Sequence, residues 1–160
     1  MGINRDWPRW VFASVVSHFD NGKDSTTALY VTGEQQDLRN DTNLLELRMD
    51  GPALNEPSKD YWHLYIEVNV LVQCVVSDTD AHVIHRYAGQ VAALMDEGII
   101  IYKHGTGAGD DGTALGCMIP VSDVRGRKKI QINHFGQIHP ATKIMQATVE
   151  GHFEMYLKST

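Results

Sequence analysis

The sequence has 160 residues, 42% hydrophobic and 21% charged, enough for one ordinary domain over 1–160 with a real core and too apolar for disorder. A net charge of −6 with histidine neutral withholds the basic footprint that nucleic-acid binding requires. No apolar run approaches the ~18 residues of a membrane span, and the opening MGINRDWPRW lacks an apolar signal region and, with Asp6 in sixth place, a myristoylation pattern.

The protein is therefore expected to be soluble and to stay in the compartment where it is made. In chain order, the first expected element is a helix. Pro8 suits its first turn, Asp6 is placed to cap it, and Val11, Phe12, Val15, Val16 and Phe19 recur at helical spacing before Asn21-Gly22 ends it. A short strand over 26–32 and a second over 43–50 follow, closing at Asp50-Gly51-Pro52. The segment from Ala53 to Asp60 reads as a loop, because proline and polar residues interrupt every periodicity.

From Tyr61 to Val76 the residues alternate almost without fault, with Leu71 and Val75 as exceptions. Trp62, Leu64, Ile66, Val68, Val70, Val72, Cys74 and Val76 define an apolar face, opposed by His63, Tyr65, Glu67, Asn69 and Gln73. A period of two means a half-buried strand of antiparallel type. Residues 77–80 offer caps for a second amphipathic helix over 81–97, whose core face is Val83, Ile84, Tyr87, Ala88, Val91, Leu94 and Met95, with Gly98 as its stop. Strands are then expected over 99–104, 113–121 and 129–138. A last one over 143–158 sets Met145, Ala147, Val149, Gly151, Phe153, Met155 and Leu157 against Gln146, Thr148, Glu150, His152, Glu154 and Tyr156.

The fold class that follows is α+β: one largely antiparallel twisted sheet with two amphipathic helices packed on its apolar face. Sixteen residues at about 3.3 Å each span roughly 53 Å, whereas a globule of this length is about 40 Å across. The long strands must bend, with Gly151 as a candidate bulge, or project toward a neighbouring subunit.

Chemistry is hard to find along the chain. Gly107 to Gly112 spells GxGxxG, but TALGCMIPV after it has strand character, and Asp110 and Asp111 would repel phosphate, so a hairpin loop is the better reading. His82 and His85 share a helix face without a visible third ligand, so no metal site and no cofactor is expected. Glu150 and Glu154 alternate with His152 on what reads as a solvated face, and Arg125, Arg127, Lys128 and Lys129 read as a solvated turn. Cys74 and Cys117 lie among apolar residues and are expected to be buried free thiols, with a disulfide as the alternative.

The order of elements, and the stretches YWHLYIEVNVLVQ, HRYAGQVAALMDEGIIIY and QATVEGHFEMYL, resemble the tail-terminator proteins at the neck of long-tailed bacteriophages. The resemblance covers nearly the whole chain and implies a non-enzymatic virion protein. Such a protein is expected to form a hexameric ring that caps the tail tube and presents a surface to the head-closure or connector protein. DNA would pass only in transit, with no membrane involved, and the protein would sit in the host cytoplasm during assembly. Candidates to line the channel are Glu67, Asp110, Asp111, Glu150 and Glu154; candidates for the subunit interface are Asn55, Glu56, Lys59, Tyr61 and Tyr156. The alternatives are another head-tail connector or tail-tube subunit, or a small soluble ligand-binding domain or enzyme.

Overall fold

The computed structural model describes residues 5–32, 34, 43–58, 60–76, 82–104, 110–122, 129–137 and 143–158. Helix α1 spans Trp7–Gly22, with Pro8 in the first turn, where its missing N–H costs nothing. Asp6 holds the N-cap position but makes no side-chain capping bond; its carbonyl accepts the Trp10 N–H at 3.1 Å. The buried stripe runs through Trp10, Val11, Ser14, Val15 and Phe19. That stripe centres on the side of Val11 away from position 12, which corrects the expectation for Phe12: it is 45% exposed.

Strand β1 (Ala28–Val31) pairs in parallel with β2 (Leu44–Ser58), and β2 pairs antiparallel with β3 (Tyr61–Val75). The loop expected from Ala53 to Asp60 is thus mostly strand. Its ladder to β3 breaks register twice, between Asp50 and Ala53 and between Asn55 and Ser58, which places Pro52 and Pro57 at irregularities. β1 occupies the outer side of β2 only along Leu44–Leu47, so both prolines sit where no β1 partner needs their N–H.

Helix α2 (Val83–Asp96) buries Ile84, Ala88, Val91 and Met95, and Gly98 ends its last turn at φ +79°, a backbone state that glycine adopts without penalty. Strands β4 (Ile99–Tyr102) and β5 (Ala114–Pro120) pair antiparallel, β6 (Ile130–Gln137) follows, and β7 (Ile144–Lys158) closes the chain. The strand order is β1-β2-β3-β7-β5-β4, with β6 also on β7. β7 is central: β3 runs along one edge for its full length, while β6 and β5 share the other. With two helices and a strand-rich, curled mixed sheet among the described residues, the architecture is α+β, and the parallel β1–β2 pairing qualifies its antiparallel character.

One hydrophobic cluster joins these elements. Leu64, Ile66, Val68, Val70, Val72 and Cys74 of β3 and Ala147, Val149, Phe153, Met155 and Leu157 of β7 meet Val11, Val15 and Phe19 of α1 and the buried residues of α2. Tyr87 and Leu94 pack partly buried against it. The apolar face stays covered as far as Leu64, Met155 and Leu157, so the long strands remain on the globule by curling. Gly151 is no bulge, because the β3–β7 ladder pairs it with Val68 in unbroken register. It instead makes room for α2: a Cβ there would stand 2.9 Å from the Met95 sulfur and 2.8 Å from the Phe153 ring.

Cys74 is buried as expected, but Cys117 is exposed. It pairs with Ile100 on the outward side of the β4–β5 hairpin, whose inward side carries Ile99, Ile101 and Met118. The capping residues 77–80, the glycine-rich stretch 105–109, residues 125, 127 and 128 of the basic cluster, and Lys59 lie outside the described residues.

Candidate functional site

The face of the sheet opposite the core carries the polar half of each alternating strand. Because directly opposed residues share a face, the register fixes its rows. Asn55, His63 and Tyr156 form one, Asp50, Glu67 and His152 a second, and Arg48, Asn69, Glu150 and Gln131 a third. Tyr65 and Glu154 oppose each other between the first two rows.

These side chains are tied to one another. A His63 ring nitrogen lies 2.9 Å from Glu154 Oε2, and Tyr65 Oη lies 2.7 Å from His152 Nδ1. The Asn69 amide donates to Glu150 at 3.5 Å, and Arg48 meets Glu46 at 2.9 Å. His63 and Tyr156 rings approach to 5.0 Å between centroids. Among the described side chains the face holds Glu46, Asp50, Glu67, Glu150 and Glu154 against Arg48, and Lys158 ends its β7 row opposite Tyr61. Asp50 stands directly opposite Glu67, a like-charge pairing that a sheet built for stability alone would avoid.

The expected channel residues therefore divide. Glu67, Glu150 and Glu154 share this face, half-buried among its polar neighbours. Asp110 does not belong to it: its side chain is wholly out of solvent, accepting from Arg9 at 2.7 and 2.9 Å and from Trp10 Nε1 at 2.6 Å. Its placement on an acidic wall is corrected on that ground, since the carboxylate is used up in fastening the β4–β5 connection to α1. Arg9 also donates to the His104 carbonyl at 2.8 Å, and Asp110 holds its guanidinium above its ordinary pKa. Asp111 is exposed beside this anchor; hydrogen bonds from the Thr113 hydroxyl and amide hold its carboxyl below the ordinary 3.8.

Of the expected interface residues, Asn55, Tyr61 and Tyr156 gather around His63 at the end of the sheet where β2, β3 and β7 finish. Tyr61 is 46% and Tyr156 58% exposed. Glu56 lies in β2 at the same end.

Two open grooves flank α1. One, of about 640 Å³, is lined in part by Ser14, His18, Leu94, Tyr102, His104 and Cys117. Its polar groups hold elements together: Tyr102 N–H donates to Ser14 Oγ at 2.9 Å, and a His18 ring nitrogen donates to the Leu94 carbonyl at 2.7 Å. The other, of about 510 Å³, is an apolar gap between α1 and the β1–β2 pair. Among the described residues no group of three or more His, Cys, Asp or Glu side chains is arranged to hold a metal ion, and no helix is long and apolar enough to cross a membrane.

Sequence reasoning missed His63, Tyr65 and His152 as the partners that knit the acidic face. The alternation that placed them on one side was the available signal. Comparison of the sequence with protein-family models and with curated proteins finds no match.

Proposed function

We propose that the chain is a non-enzymatic structural subunit of a bacteriophage neck, a ring that caps the tail tube and joins it to the head connector. The observation that carries this reading is the acidic face on β2, β3 and β7, with Glu150 and Glu154 held by Asn69 and His63, Glu67 beside them, and Asn55, Tyr61 and Tyr156 exposed at its end. An acidic wall lets DNA slide, because phosphates are repelled rather than bound. In a hexamer, as the resemblance implies, six copies at −6 each carry −36. The finer reading of the fold belongs with this proposal: a twisted, largely antiparallel sheet with both helices on its apolar face, leaving the polar face for the lumen. A closed ring is built from heterologous contacts, one patch of each subunit against a different patch of the next. The exposed tyrosines at the sheet end supply one such patch.

Light scattering coupled to size exclusion tests the assembly, alone and with the tail-tube protein. A hexamer of 17.9 kDa protomers is expected near 107 kDa. A monomer under both conditions contradicts the proposal.

A further inference from the structure

His85, in the first turn of α2, and His134, on β6, are 49 residues apart in sequence but face each other, with Nδ1 of one 3.2 Å from Nε2 of the other. Their ring centroids are 4.3 Å apart, and both residues are exposed. If one ring supplies an N–H the contact is a hydrogen bond, at the long end of the usual range. Two neutral imidazoles on a tetrahedral cation, with Zn–N bonds of 2.0–2.1 Å, hold their nitrogens about 3.3 Å apart. The observed separation already matches that span, and both rings are exposed and free to turn toward a shared cation. We propose that His85 and His134 form a two-imidazole chelate for a borderline divalent cation of the zinc class, with water completing its shell.

Exposure favours this site, since the cation keeps its waters and no buried charge has to be compensated. Imidazole is the ligand type that zinc, copper and nickel prefer. His82 lies one turn earlier, with its ring centroid 6.0 Å from that of His85, and stands as a neighbour rather than a ligand. The bound ion would clip the start of α2 to β6, two elements that otherwise meet through the core. The assignment is independent of ring formation.

Tag-free protein stripped with EDTA and titrated calorimetrically with zinc chloride tests it. One site per protomer is expected, with the unfolding midpoint raised by about 3 °C at ten times the dissociation constant and restored by EDTA. Loss of an outer-sphere partner of a metal ligand already costs about 10-fold in affinity, so His85→Ala and His134→Ala should each weaken binding by at least that. His82→Ala should leave it nearly unchanged. Circular dichroism without metal confirms that each variant is folded, so that lost binding reports a lost ligand. Undiminished affinity in His134→Ala, no heat at millimolar zinc, or a loss in His82→Ala equal to that in His134→Ala would each overturn the two-ligand assignment.

Discussion

Asp110 accepts three N–H groups from Arg9 and Trp10 across about a hundred residues of sequence, and its own side chain is out of solvent. Nothing in the string GAGDDG distinguishes it from Asp111, which is exposed; the difference is made by the approach of α1, which local sequence does not encode. Asp110→Ala would leave the Trp10 indole N–H without its acceptor in a residue that is 3% exposed. The expected cost is about 1–3 kcal/mol in urea unfolding, and an unchanged midpoint would show that the anchor is dispensable. Asp24 and Asp111 behave differently. Hydrogen bonds from the Thr26 amide and hydroxyl hold Asp24 below 3.8, as those from Thr113 hold Asp111. A depressed folded value means that each contributes stability above the ordinary value and loses it as pH falls through the folded one. Carboxyl NMR titration should give both midpoints below 3.8, and a midpoint at or above that figure would contradict the assigned bonds.

β3 and β7 were legible because a strand buried on one face writes its period of two into the sequence, and both extend as expected to within a residue of their ends. β2 was half legible: past Gly51 it has no β1 beside it, so its composition is free to look like a loop. The role of Gly151 was illegible, since only the position of α2 reveals that Met95 occupies the space of its missing side chain. Gly151→Val should overpack that contact and cost about 1–3 kcal/mol, measured by urea unfolding; a neutral result would mean that α2 can withdraw freely. The opposition of Asp50 and Glu67 predicts the reverse sign. Glu67→Gln relieves a like-charge pair and should stabilise the protomer by about 0.2–1 kcal/mol. A destabilised variant would show that Glu67 serves the fold rather than the surface. Stability given up at a position is a common mark of function elsewhere.

For the molecule as a whole, one composite sheet separates a core on one side from an acidic, internally bonded face on the other, and exposed aromatic residues mark where that face ends. The core side of β3 and β7 followed from periodicity, whereas Phe12, placed on the core face of α1 by the same argument, is exposed. The acidic side followed only in part, because alternation assigns Glu67, Glu150 and Glu154 to one face but cannot show that His63 and His152 hold their neighbours in place. The central claim is that this face turns toward the lumen of a ring through which DNA passes. Cryo-electron microscopy of the protein assembled on its tail tube tests that claim most directly. The account predicts a closed ring with Glu67, Glu150 and Glu154 on the lumenal wall and Tyr61 and Tyr156 at subunit contacts. A ring with those glutamates on its outer surface, or a basic lumen that grips DNA, would contradict it.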